Sequence, residues 1–262
     1  MLKREICHLW GPFSIYSYGL AMAIGILVFT WLCLQHPWRA KLISKESFIE
    51  AISLSLIVGL IGGRLLFILN SFDRFDSWTE LFTLWNGGLS VMGGFIAILC
   101  IMPIYLKKNN VPVLPILDLA ALYAPLLHAI ARLGCLMAGC CFGLPSNLPW
   151  AITYTDRMSE APLNIALHPT QLYMSGTLVV IFLFFYFVLQ KRVKAPGQML
   201  MAYLMAESML RFGIDYLRND KEYFPWDTSH IITANQWLAL GMFIVSLAGC
   251  LVIHYTYTKK AA

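Results

Sequence analysis

Seven stretches of this sequence are almost continuously apolar, near residues 15–34, 51–69, 90–106, 116–138, 171–190, 198–217 and 236–254. A helix needs about 20 mostly apolar residues to cross the hydrocarbon core of a bilayer, and each stretch is close to that length. Polar and apolar residues do not alternate along them, so a series of barrel strands is excluded. Composition supports the same reading. The chain is 59% hydrophobic and 13% charged, against about 45–50% and about 25% for an average soluble domain. A soluble globule of 262 residues cannot hide that much apolar surface behind so few charges. Aromatic content of 14% with so little charge excludes disorder. The net charge of +5 is not gathered into a basic domain, so no nucleic-acid partner is expected. The expected architecture is all-α, a polytopic integral membrane protein of seven transmembrane helices forming one domain over residues 1–262.

Lys and Arg between the spans set orientation. Arg39, Lys41, Lys45, Lys107, Lys108, Lys191, Arg192, Lys194, Lys259 and Lys260 collect on one side. Lys3, Arg4, Arg74, Arg157, Arg218 and Lys221 fall on the other. The richer side is expected to be cytoplasmic, giving an N-out, C-in topology. The first apolar run is longer than a signal-peptide core and reads as a retained helix. Outer loops 70–89, 139–170 and 218–235 are long enough to cap a cavity.

Three arginines lie within or at the edges of spans: Arg64, Arg132 and Arg211. An arginine at the centre of a membrane helix costs on the order of 2.5–3.5 kcal/mol on insertion scales. Each therefore needs a partner, and Asp118 and Glu207 are candidate structural ones. Three together point to a site for an anion. The guanidinium fork suits phosphate, and the most available phosphate in a membrane is a lipid headgroup.

Further polar or permissive motifs accompany these arginines. Gly87-Gly88 and Gly93-Gly94 bracket the start of the third span, where they serve either close backbone approach to a ligand or tight helix packing. His168-Pro169-Thr170-Gln171-Leu172-Tyr173 opens the fifth span and places His168 and Tyr173 at the outer interface, where a histidine can carry a proton near neutral pH. Arg211, Asp215 and Arg218 follow at i, i+4 and i+7, which predicts one face of a helix, with Asp215 and Arg218 supporting Arg211. Cys135, Cys140 and Cys141 cluster in sequence, while Cys7, Cys33, Cys100 and Cys250 are scattered. C-x4-C-C is not a zinc-ligand spacing, and no second pair or nearby His completes four ligands, so no metal and no cofactor are expected.

Taken together, these motifs resemble the prolipoprotein diacylglyceryl transferases of bacterial inner membranes. The resemblance is carried by Tyr16-Ser17-Tyr18-Gly19-Leu20, Gly62-Gly63-Arg64, Asn86 to Gly94, Arg132-Leu133-Gly134, His168 to Tyr173 and Arg211 to Arg218. It implies transfer of a diacylglyceryl group from phosphatidylglycerol to the lipobox cysteine of a prolipoprotein signal peptide. It further implies a multi-pass protein of the inner membrane with lipid partners. By the same resemblance Arg132 would bind the lipid phosphate, with Arg64 and the glycines at 87, 88, 93 and 94 lining the lipid site. Arg211 would stabilise the leaving group, and His168 and Tyr173 would handle the proton. The sequence departs from the family pattern at several polar positions. Met92 stands where the family usually carries His, Cys135 at its Asn, Cys140 and Met174 at two Glu positions, and Glu207 at an aromatic. A second reading is a paralogue that binds an anionic lipid or lipopeptide without this reaction, or that works through its own thiols.

Overall fold

A computed structural model of the chain describes residues 4–10, 13–72, 88–219, 221–224 and 231–261. Two short strands, β1 (Glu5–Trp10) and β2 (Phe13–Tyr16), precede α1 (Ser17–Gln35), α2 (Pro37–Leu42), α3 (Lys45–Asn70), α4 (Val91–Lys108) and α5 (Val113–Ala138). The strands β3 (Ile152–Thr153) and β4 (Ala166–Leu167) follow, then α6 (Thr170–Phe187), a 3-10 turn at Leu189–Lys191, α7 (Gln198–Asp215) and α8 (Ala234–Ala261). Long helices thus occupy all seven apolar stretches, and the two small two-stranded sheets are additions to the all-helical expectation.

Among the described residues, five helices are long and apolar enough to cross a membrane: α1, α3, α5, α6 continued through its 3-10 turn, and α8. Many apolar side chains on α1, α3 and α8 face outward, with Leu27, Leu69 and Val245 exposed by 69%, 75% and 70%, whereas α5 buries Leu119, Leu122 and Ala129. Outward-facing helices of this kind require hydrocarbon as solvent. The chain is a mostly helical, multi-pass membrane protein. Helix α7 is not among the five; Glu207, Arg211 and Asp215 interrupt its apolar run.

The chain divides into two compact units. One comprises Leu9–Phe13 and Leu34–Ile116, and its frame is the pairing of α3 with α4. Small residues make that pairing close. A Cβ on Gly62 would meet the Gly93 carbonyl at 2.7 Å, and one on Gly94 would meet the Gly59 carbonyl at 2.8 Å. Ser90 caps α4 by accepting from Gly93 N at 3.3 Å, and its own N–H donates to Gly63 O at 2.9 Å. Arg39, at the foot of α2, ties α1 to α2 by donating to Leu34 O at 3.0 Å and Ile43 O at 3.3 Å.

The other unit comprises Met1–His8, Ser14–Cys33 and Leu117–Ala262. Gly134 lets α1 press against α5, since a Cβ there would lie 2.8 Å from that of Ala21 and 3.1 Å from Tyr18 Cα. Asp118 on α5 caps α7 from outside, accepting from Gly197 N at 2.6 Å and Leu200 N at 2.8 Å. A carboxylate there compensates the helix dipole and satisfies two orphan donors. Asp118 is therefore engaged with a helix end rather than with an arginine.

Gly62→Val should lower the stability of the first unit by about 1–3 kcal/mol through overpacking of α3 on α4. Gly176→Ala, where nothing lies within 4 Å of an added Cβ, should be neutral or slightly stabilising. Thermal unfolding of the detergent-solubilised variants checks both.

Candidate active site

The second unit gathers three sequence motifs around the segment that leaves α5. Gly139, with φ 77°, ends the helix by donating to Cys135 O at 2.9 Å. Cys141 follows in the left-handed region at φ 58°, a conformation that costs a side-chain-bearing residue energy and must be held by its surroundings. The hold comes from the start of α6. Thr170 Oγ1 donates to Cys141 O at 2.7 Å and Gln171 Nε2 donates to Cys140 O at 2.7 Å. Gln171 Nε2 also lies 3.3 Å from Tyr154 Oη, which itself donates to Leu136 O at 3.1 Å. Burial raises the Tyr154 hydroxyl to about 12, so it remains a proton donor.

Beyond Cys141 the backbone is pinned on both sides. Gly143 N donates to His168 O at 3.1 Å, and His168 N donates to Leu144 O at 3.0 Å. Leu144 N donates to Leu217 O at 2.8 Å and Asn219 N to Phe142 O at 3.3 Å. Only glycine fits at 143, because a Cβ would come within 2.6 Å of His168 O and 2.9 Å of Leu217 O. This junction corrects one expectation. Arg211 and Asp215 share a face of α7, 3.9 Å apart, but Arg218 lies beyond the end of the helix. Helix α7 stops at Asp215 because the chain there turns to pair with 142–144, and Arg218 sits buried in that pairing, bridged to Gly143.

The ionisable side chains form short local networks. Arg132 Nε donates to His128 Nε2 at 3.0 Å, one helical turn away, and His128 Nδ1 lies 3.3 Å from Glu207 Oε2 on α7. With Nε2 accepting, the ring proton resides on Nδ1 and faces the carboxylate. Arg132 Nη1 reaches Cys141 Sγ at 3.6 Å. Arg211 Nη2 lies 3.9 Å from Asp215 Oδ1, and Asp215 Oδ2 accepts from the Thr233 hydroxyl just before α8. His168 Nδ1 is 3.4 Å from Tyr173 Oη, and Trp150 Nε1 donates to that same hydroxyl at 2.7 Å.

The sulfurs of Cys135, Cys140 and Cys141 all lie within 4.8 Å of one another, and the three are free thiols. Hydrogen bonds from the neighbouring thiols, reinforced by the charges of Arg218 and Arg132, hold the Cys141 thiol well below its usual range. The same cluster pushes Cys140 up.

A family model described as prolipoprotein diacylglyceryl transferase matches residues 4–252. The chain belongs to the prolipoprotein diacylglyceryl transferase family. A relative from Clostridium tetani (strain Massachusetts / E88), named phosphatidylglycerol–prolipoprotein diacylglyceryl transferase, is 29% identical over 248 residues, covering 94% of this chain and 96% of its own. Relatives of the same name from Bordetella avium (strain 197N) and Finegoldia magna (strain ATCC 29328 / DSM 20472 / WAL 2508) are 30% and 31% identical. They cover 90% and 80% of this chain, and 89% and 84% of their own lengths.

Of the family-type residues singled out in the sequence, Arg132, His168, Tyr173, Arg211, Asp215 and Arg218 belong to this second unit. Arg64, Gly88, Gly93 and Gly94 belong to the other. There Arg64 is buried, donates to Gly88 O at 3.0 Å and stacks over the Phe67 ring at 5.7 Å. Gly93 and Gly94 face α3 in the close packing described above. Gly87 and Asn86 lie outside the described residues. His128, Trp150, Thr170 and Gln171 carry no individual site role in the sequence reading. The i, i+4 spacing of His128 and Arg132 was the available signal for the first. Nothing local marks Trp150 as the partner of Tyr173, 23 residues away.

Gln171→Leu should release the Cys140 carbonyl and the Tyr154 hydroxyl together, costing about 1–3 kcal/mol for the buried groups left unpaired. Faster maleimide labelling of Cys140 and Cys141 than in the unaltered protein, with a lower unfolding temperature, is the expected outcome.

Proposed function

We propose that this chain transfers the diacylglyceryl group of phosphatidylglycerol to the lipobox cysteine thiol of a prolipoprotein. The observation that carries the reading is the family match over residues 4–252, joined by relatives that share one enzymatic name along nearly their whole lengths. That breadth favours transfer over a paralogue that only binds lipid or lipopeptide.

The reaction sets definite demands. The acceptor thiol, with an ordinary pKa near 8.5, becomes thiolate and attacks the glycerol carbon that bears the phosphate. The carbon–oxygen bond breaks, and its electron pair leaves with glycerol phosphate. Catalysis then depends on in-line positioning, a proton acceptor and stabilisation of phosphate charge. In our reading Arg132 binds the lipid phosphate, held in place by His128. Arg211 stabilises the departing phosphate, and Asp215, anchored by Thr233, fixes its rotamer with support from Arg218. His168 accepts the proton, and Tyr173, held by Trp150, orients the ring. Arg64, with Gly87 and Gly88, supports the approach of lipid, while Gly93 and Gly94 serve the packing of α4 on α3. The whole of residues 1–262 works as one domain of seven spans in the bacterial inner membrane, N-terminus out and C-terminus in, and uses no nucleic acid.

Cells depleted of their own transferase and expressing this chain should lipidate a reporter preprotein. Absence of lipidation by a correctly inserted chain would overturn the proposal. Arg132→Ala should lower transfer by at least about 100-fold at unchanged abundance, as removal of one charge-stabilising donor does elsewhere. Full activity of that variant would remove Arg132 from the phosphate site. For topology, a fluorescent protein fused after Ala262 should fluoresce and alkaline phosphatase fused there should be inactive; the reverse pattern refutes C-in.

A further inference from the structure

We propose that Cys135, Cys140 and Cys141 bind one zinc ion through their three sulfurs and leave its fourth position open for the acceptor thiol. The inference rests on the transfer reaction proposed above and supplies a cation to stabilise the acceptor thiolate whose proton His168 takes.

The sulfurs come from two places, the last turn of α5 and the turn after it, and converge within 4.8 Å of one another. Zinc–sulfur bonds of about 2.3 Å set the sulfurs of a tetrahedral site about 3.8 Å apart, so closure onto the ion asks each pair to shorten by at most about 1 Å. The turn that brings them together is held in an unfavourable conformation. Cys141 has positive φ, and two side chains of α6, Thr170 and Gln171, fix the carbonyls of Cys141 and Cys140. Ordinary apolar packing of three cysteines needs no such hold. Charge agrees as well. Three thiolates around a divalent ion leave one negative charge, and Arg132 Nη1 already stands 3.6 Å from Cys141 Sγ. Thiolate ligands select soft d10 ions, and a site with three protein ligands keeps one position for substrate.

The chemistry balances without oxidant or reductant. The acceptor R–SH enters the open position as R–S⁻, because a coordinated thiol is deprotonated outright, and its proton passes to His168 or water. A lone pair on the bound sulfur attacks the glycerol carbon. The sulfur–carbon bond forms, the carbon–oxygen bond breaks, and the electron pair leaves on the phosphate oxygen. The neutral thioether is a weaker donor and leaves the ion, restoring the three-thiolate site. The sequence expectation of no metal rested on a search for four protein ligands; three suffice when the substrate brings the fourth.

The test uses the full chain in detergent, reduced and metal-free, with Co(II) as the spectroscopic probe and a lipobox peptide as the thiol. One Co(II) per chain, with sulfur-to-cobalt charge-transfer bands that shift on adding the cysteine peptide and not its serine counterpart, is expected. Cys135→Ser, Cys140→Ser and Cys141→Ser should each weaken zinc binding by about tenfold or more, and Cys250→Ser should leave it unchanged. Chelation of the unaltered protein should abolish lipidation, and added zinc should restore it. A chain that binds no ion, or a triple serine variant that binds as before, overturns the site. Binding without a spectral response to the peptide thiol overturns the open position. Lipidation that survives chelation and the triple variant overturns this inference while leaving the transfer reading intact. Lack of lipidation by the unaltered chain refutes the transfer reading itself, whereas the cobalt titration still reads the metal site alone.

Discussion

Where a chain leaves a helix in or beside a bilayer, its peptide groups must find partners within the protein, because hydrocarbon offers none. The turn after α5 solves that problem, and its solution organises the rest of its unit. Phe142–Leu144 bonds on one side to His168 and on the other to Leu217 and Asn219, while Ser146 N donates to Ala166 O at 2.9 Å. Three segments far apart in sequence are thereby brought to one backbone junction. Gly143 makes the junction narrow enough, since any side chain there would collide with two carbonyls. The termination of α7 at Asp215 is a consequence of the same pairing rather than a property of its own sequence.

The charged groups follow from the same shortage of water. Each is handled by a near neighbour rather than by a distant salt bridge. Arg132 turns to His128 on its own helix, and His128 to Glu207 across the gap to α7. Asp215 is fully buried and takes the Thr233 hydroxyl on one oxygen, with Arg211 at 3.9 Å from the other. Asp118 spends its two oxygens on the N-terminus of α7. Burial makes an unpaired charge expensive, so such relays stiffen the side chains they contain. Rigid, pre-paired arginines suit recognition of a phosphate that arrives with its own charge.

Helix positions were legible because a 20-residue apolar run has few alternatives, and all seven stretches carry long helices. Arg64, Arg132 and Arg211 stand out for the opposite reason: an arginine in an apolar run is costly. Contacts made by carbonyls and glycines were not. A Gly-Gly pair reads the same whether it admits a ligand or a neighbouring helix, and only the α3–α4 geometry shows Gly93 and Gly94 against Gly62 and Gly59. The i, i+4, i+7 pattern misled at Arg218, because periodicity says nothing about a backbone competitor such as Gly143, 75 residues earlier. Thr170 and Gln171 looked like helix-start residues, yet they brace the turn before the strands. The convergence of Cys135 with Cys140 and Cys141 depends on a left-handed residue, which propensity does not foresee for cysteine.

The replacements along the family pattern are not scattered with respect to chemistry. The arginine positions of the resemblance, Arg64, Arg132 and Arg211, are retained. Of the five positions that changed, Glu207 puts a carboxylate at an aromatic position, and the other four, Met92, Cys135, Cys140 and Met174, stand where the resemblance places imidazole, amide and carboxylate groups, those able to receive or relay a proton. A thioether does neither. Thiols are weak hydrogen-bonding partners but strong metal ligands, and two of the four replacements are thiols set beside a third at hydrogen-bond range of an arginine. Generating a thiolate from a thiol admits two physical routes: a base that takes the proton, or a cation that lowers the energy of the anion. The zinc site proposed above takes the second route. In that reading the His168–Tyr173–Trp150 chain carries the released proton away, with 3.4 Å between the His168 ring and the Tyr173 hydroxyl.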